Sequence, residues 1–346
     1  MKLSHEQKVK SLQRLSWLVH CILIKPLAFL NKNPIMLKTG SFHLVYFGLL
    51  ASLGFMASLS IAFFYLDARG CFSDLPVFLV TLFYVLSCMI GVKALYFFSL
   101  GKKFFQKPLD YLNETTMYNQ GGVFGIFVVG IVIVFVYDIN LMVMMDAMAL
   151  SGSLGLFFGR LGCFNYGCCF GKPTNGPAHV AYHRSRSKVI RTNPELRGVP
   201  LVPTQLYTAY IDLLMFIIFV VAVNIYPADG LISLIFIFIF NGFRMFIQPY
   251  RFTEQSDLMN FKKMAIIYLT GYVLIWFVAF LVSGATLVQR ASEVSFNPVA
   301  WAVFVMTTPD VFLSIVIAGI ITFLFFGLHG RQLGTHINLA KGEYAD

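Results

Sequence analysis

Charge is scarce in this chain. Only 12% of its 346 residues are charged, about half the roughly 25% of an ordinary soluble domain. That shortage excludes a solvated surface over most of the molecule. Acidic residues are scarcer than basic ones, 16 against 26. No repeat of fixed period, no low-complexity tract and no pair of Gly/Pro-broken helices in matching halves occurs, which speaks against the common secondary-transporter pattern. Alternating segments of about ten residues, the mark of a membrane β-barrel, are also missing. The six cysteines form no secreted framework. Cys21 and Cys88 sit in apolar segments as small hydrophobes, Cys71 lies in a short loop, and Cys163, Cys168 and Cys169 belong to a glycine cluster.

What is present is apolar: 58% hydrophobic residues, with 37 Phe. Runs near 43–66, 76–98, 121–137, 141–159, 205–226, 229–248, 264–286 and 310–329 are long enough for a hydrocarbon core of about 30 Å. The expected fold is therefore all-α, a polytopic bundle of about eight transmembrane helices. A polar stretch at 171–203 would form a small head beside the membrane. The expected division is a basic extension over 1–40, a membrane core over 41–252 carrying that head, and 253–346 with a further span, the last helix and a polar tail. Residues 12–30 read either as an interfacial helix, with Trp17 and Leu18 in lipid, or as a broken ninth span. No small-residue cleavage site follows them, so a signal peptide is not the expectation. Lys and Arg cluster before the first span, after the second, between 160 and 197, and after the sixth. The positive-inside rule would turn these regions to the cytoplasm. Charges that flank spans point to anionic lipid, not to nucleic acid.

Chemistry is expected where polar groups interrupt this apolar background. Phe158-Gly159-Arg160-Leu161-Gly162-Cys163-Phe164 closes one span, and Gly167-Cys168-Cys169-Phe170-Gly171 and Pro203-Thr204-Gln205-Leu206-Tyr207 follow. A guanidinium at the interface is a permanent planar fork suited to phosphate, although a snorkelling Arg160 would mark the helix end equally well. Arg244 lies inside an apolar run and costs at least about 2.5 kcal/mol to insert. Helical spacing would put Arg244, Gln248 and Arg251 on one face. Asp146 and Asp212 are lone carboxylates in spans, and Gln120-Gly121-Gly122 opens the third. The three clustered cysteines raise the question of zinc. Their spacing is not the usual C-x₂₋₄-C knuckle, adjacent cysteines do not readily share one tetrahedron, and no metal is expected. His179 and His183 are assigned to the basic head surface. A reactive thiol beside Arg160, simple packing and a disulfide all stay open.

Taken in order, these blocks resemble the prolipoprotein diacylglyceryl transferase family. The matching segments are Phe42-His43, Tyr46-Phe47-Gly48, Ile90-Gly91-Val92-Lys93, Gln120-Gly121-Gly122, Asp146, residues 159–164, Gly167, Gly171, residues 203–207, and Gly242-Phe243-Arg244 through Arg251. The resemblance implies transfer of diacylglycerol from phosphatidylglycerol to the lipobox cysteine thiol of lipoprotein precursors, with glycerol-1-phosphate released. It implies no cofactor, and a multi-pass place in the bacterial inner membrane. Arg160 and Arg244 would hold the phosphate, while Gly171, Gln205 and Tyr207 shape the site. Tyr46 or Phe47 would stand at the family's tyrosine position. The departures are at Gln120 for a histidine, Cys163 for an asparagine, Cys168 for a glutamate, Lys93 for an arginine and Gln248 for a glutamate. Candidate bases are then Gln120, Cys168 and His43, of which only His43 has a natural pKa for the task. Gly121, Gly122, Cys163, Lys93, Gln248 and Arg251 complete the expected substrate contacts. The other readings are a paralogue with another acceptor, and a lipid-binding or transport protein without catalysis. The family's site faces the periplasm, whereas the basic loops lie on the site's own side; a spanning 12–30 would reconcile the two.

Overall fold

A computed structural model describes residues 17–18, 20–39, 42–72, 75–106, 108, 119–226, 228–252, 255–284 and 296–330. The apolar runs named above are helical over most of their described lengths; the first opens in a strand at 43–45 and the last ends in one at 328–329. In chain order the main helices are α1 (Tyr46–Ala68), α2 (Val77–Leu100), α3 (Asn119–Val136), α4 (Leu141–Tyr166), α5 (Thr204–Ile225), α6 (Leu231–Ile247), α7 (Gln255–Ser283), α8 (Pro298–Thr307) and α9 (Pro309–Gly327). Among the described residues, six segments are long and apolar enough to cross a membrane: α1, Val77–Phe98, α4, α5, Leu231–Tyr250 and α9. Gly121–Val136, Leu269–Ser283 and α8 are apolar but shorter. The protein is an all-α, multi-pass membrane bundle.

The most buried span is α4, which packs closely on α1 and α5 and also meets α6. Small residues permit this: Gly54 on α1 faces Gly155 and Phe158, and Ser58 donates to the Ser151 carbonyl at 2.8 Å. The α2–α3 pair is equally close, with Gly91 and Gly121 backbone to backbone and Gly125 against Ser87. Asp146 is fully buried on α4. Its carboxylate accepts the N–H groups of Gly230 and Ser233, both at 2.7 Å, at the start of α6. A buried carboxylate there balances the positive helix end and satisfies donors that have no partner within the helix. Trp276 on α7 donates to the Gly230 carbonyl and the Ser233 hydroxyl at 3.1 Å, sealing the joint.

A small antiparallel sheet, β1 (Ile35–Lys38), β2 (Phe42–Val45) and β3 (Leu328–Gly330), caps the end of the bundle where α4 terminates. It ties the entry of α1 to the exit of α9, where Gly48 and Gly327 meet. Residues 20–32 form two short helical turns, His20–Ile24 and Lys25–Lys32. They are held by Tyr210 donating to the Leu23 carbonyl at 2.6 Å and Asn165 to those of Leu30 and Asn33 at 2.5 and 3.0 Å. The head between α4 and α5 packs Tyr182, Val189, Leu196 and Leu201 into a core shared with Leu161 and Phe164 of α4 and Leu206 of α5.

Candidate active site

Three arginines from separate stretches line one narrow cleft beside α4. Arg160 comes from the last turns of α4, Arg244 from α6 and Arg251 from the strand-like segment beyond it. Thr204, Gln205, Thr208, Ile211 and Asp212 of α5 form one wall, Phe240, Phe243 and Ile247 of α6 another, and Cys169 the floor beside Arg160. Asp212 is buried, faces Arg160 electrostatically, and has no hydrogen bond to either carboxylate oxygen. Three guanidinium groups against one carboxylate give the cleft a surplus of positive charge, as a phosphate requires.

Arg251 reaches the cleft by a route that helical spacing does not anticipate. The α6 helix stops at Ile247, and Gln248–Tyr250 is a single 3₁₀ turn. Arg251 itself is extended and pairs antiparallel with Gly171. The Lys172 N–H donates to the Tyr250 carbonyl at 2.9 Å, and the Phe252 N–H to that of Phe170 at 3.1 Å. Gly171 is needed because its α-carbon is squeezed between the Val202 carbonyl and the Tyr250 carbonyl; a Cβ there would meet both. Arg244, Gln248 and Arg251 therefore do not share one helical face. Gln248 is buried and does not line the cleft among the described residues.

The turn after α4 is held from α5. Gln205 donates to the Cys168 carbonyl at 2.8 Å and Thr204 to the Cys169 carbonyl at 2.9 Å. Gly167 and Cys169 both adopt left-handed backbone, φ +78° and +57°. The sulfurs of Cys163, Cys168 and Cys169 converge within 4.8 Å of one another. Hydrogen bonds from the Cys163 and Cys168 thiols, then Arg251 and Arg160, hold the Cys169 thiol well below its ordinary pKa against the cost of burial. The same thiol contacts, with burial, push Cys168 well up.

Of the expected site residues, the structure thus assembles Arg160, Arg244, Arg251 and Gln205 on the cleft, with Cys163, Cys168 and Gly171 directly behind it. Other candidates lie apart. His43 is in β2, opposite His329. Phe47 packs on Gly162 and its ring meets Tyr166 and Phe326, and Tyr46 is partly exposed at the start of α1. Lys93 belongs to α2, and Gly121 and Gly122 press against Gly91, Val92 and Cys88. Tyr207 is half-buried on α5 off the lining. The Gln120 side chain lies outside the described residues. Cys169, Thr204, Thr208 and Asp212 line the cleft although sequence reasoning had not placed them there. The last three recur every four residues on α5, a polar stripe in an apolar helix that could have shown them.

Residues 34–284 match the family described as prolipoprotein diacylglyceryl transferase. The match continues past Arg251 into α7. Phosphatidylglycerol–prolipoprotein diacylglyceryl transferase of Clostridium tetani is 26% identical over 187 residues, 53% of this chain and 71% of that protein. The enzyme of the same name from Dehalococcoides mccartyi is 26% identical over 233 residues, 66% and 86% of the two chains. That of Geobacter sulfurreducens is 26% identical over 64% of this chain and 84% of the relative.

Proposed function

Since the chain belongs to the prolipoprotein diacylglyceryl transferase family, we propose that it transfers diacylglycerol from phosphatidylglycerol to the cysteine thiol of a lipoprotein precursor in the bacterial cytoplasmic membrane. The observation that carries this reading is the convergence of Arg160, Arg244 and Arg251 on one cleft. The acceptor sulfur forms a bond to the glyceryl carbon, and the carbon–oxygen bond to phosphate breaks. The electron pair stays on the phosphate oxygen of the departing glycerol-1-phosphate. Charge grows on that oxygen as the bond stretches, and preorganised cations stabilise it most in the transition state. Arg160 and Arg244 hold the phosphate in this scheme, Gly171 and Gln205 fix the frame around it, and Arg251 adds the third charge. Asp212 balances Arg160 before substrate enters.

The test is incubation of the purified protein with labelled phosphatidylglycerol and a lipobox peptide, followed by mass analysis for a thioether-linked diacylglyceryl product. Arg160→Ala and Arg244→Ala should each lower turnover by about 10²–10³-fold. Full activity in either variant would refute the phosphate assignment. Glycerol-1-phosphate released to another acceptor, with the peptide untouched, would favour a paralogue that lipidates a different group.

A further inference from the structure

We propose that Cys163, Cys168 and Cys169 are the ligands of one zinc ion whose fourth position opens to the arginine cleft. Three sulfurs within 4.8 Å of one another stand close to what a tetrahedral ion demands. With Zn–S bonds of about 2.3 Å the sulfurs sit about 3.8 Å apart, so an inward movement of about 1 Å or less completes the triangle. Adjacent cysteines ordinarily point to opposite sides of an extended chain. Here Cys169 has φ +57°, a conformation uncommon for a residue of its type, and this turn brings its sulfur to the same side as that of Cys168. The frame is fixed independently of any ion. Gly167 and Cys168 donate to the Cys163 carbonyl at 3.0 and 3.1 Å, while Thr204 and Gln205 hold the next two carbonyls. Such outer supports are what metal ligands require to keep their geometry.

The donor set also selects the ion. Thiolates favour zinc over the hard cations that carboxylates and water bind. Three thiolates on a divalent ion leave one net negative charge, and Arg160 and Arg251 stand next to Cys169 to balance it. Three protein ligands with one open position is the arrangement of catalytic zinc, not of closed structural sites. Cys169 is the ligand on the cleft lining, so the open position faces the phosphate site.

The role of the ion, though not its binding, rests on the transferase reading. An acceptor thiol entering the fourth position is deprotonated by the metal outright. Its proton passes to the phosphate monoester as the sulfur–carbon bond forms and the carbon–oxygen bond breaks, and no oxidant or reductant is consumed.

The test uses the full chain purified in detergent. Elemental analysis should find close to one zinc per chain, removable by chelation. Cobalt added to the stripped protein should give an intense thiolate-to-cobalt charge-transfer band and tetrahedral ligand-field bands, which shift when a lipobox peptide is added. Cys163→Ser, Cys168→Ser and Cys169→Ser should each weaken zinc binding by about tenfold or more. Natively folded wild-type protein that shows no thiolate–cobalt band overturns the site, whatever the variants do. So does zinc retained by the triple serine variant. If the metal binds but no thioether product ever forms, the transferase reading fails and the site stands. If chelated protein transfers diacylglycerol at the full rate, the role assigned to zinc fails while the transferase reading stands.

Discussion

At the scale of single residues, the cleft is set by positions behind its lining. Arg251 owes its place to Gly171, because the two segments can approach only where one of them lacks a side chain. Gly171→Ala would push a methyl group into the carbonyls of Val202 and Tyr250 and displace Arg251 without disturbing the spans. A shift of about 1 Å in a positioning group can cost up to about 10²-fold in rate. We therefore expect initial rates with labelled phosphatidylglycerol to fall by about ten- to a hundredfold, with helicity by circular dichroism unchanged. Retention of the wild-type rate would show that Arg251 is dispensable. The left-handed backbone at Cys169 is the other residue-level device: residue spacing alone does not show which way neighbouring thiols point, since the decisive variable is one φ angle.

At the scale of elements, helix ends and helix crossings do most of the organising. The start of α6 is buried, and Asp146 satisfies two of its N–H groups from across the bundle. Asp146→Asn keeps the shape but turns an amide toward donors, leaving at least one backbone N–H unmet at a cost of about 1–3 kcal/mol. The expected outcome is a lower melting temperature in detergent, with turnover at low temperature unchanged. An unchanged melting curve would mean that water or another group takes over the capping. The eight apolar runs were legible because hydropathy over about twenty residues depends on composition alone. The partners of their polar residues were not: Asp146 pairs with a backbone, and Gly121 with Gly91, contacts made between segments far apart in sequence. Arg160 and Arg244 were legible for the opposite reason, since an arginine in an apolar run is costly wherever it points. Arg251 meets the cleft by a geometry that helical spacing does not show, because a 3₁₀ turn at Gln248–Tyr250, with Pro249 in it, ends the helix.

At the scale of the whole molecule, the described chain is closed on itself by the small sheet, which joins residues 35–45 to 328–330. Hydropathy hid this closure, for β2 lies directly against the apolar run of α1 and reads as its first turn. The sheet carries a titratable group on its edge strand β3. The His329 ring packs tilted against Tyr166, with ring centroids 5.8 Å apart, and its Nδ1 lies 3.3 Å from the Gly327 carbonyl. Burial lowers its pKa from the ordinary 6.5; the Gly327 contact opposes that shift, and Arg191 and His43 add to it. In the unfolded chain the imidazole takes up a proton near 6.5, whereas in the sheet it does so only at lower pH. As pH falls through that interval the unfolded form binds more protons, so stability declines. The loss levels off once the folded imidazole is protonated too. Melting temperature in detergent should therefore drop between pH 8 and pH 5, about one to two units either side of the ordinary histidine range. His329→Gln, which cannot titrate, should lose less over the same interval. Parallel pH profiles for the two proteins would remove His329 from the account and leave the closing sheet insensitive to pH.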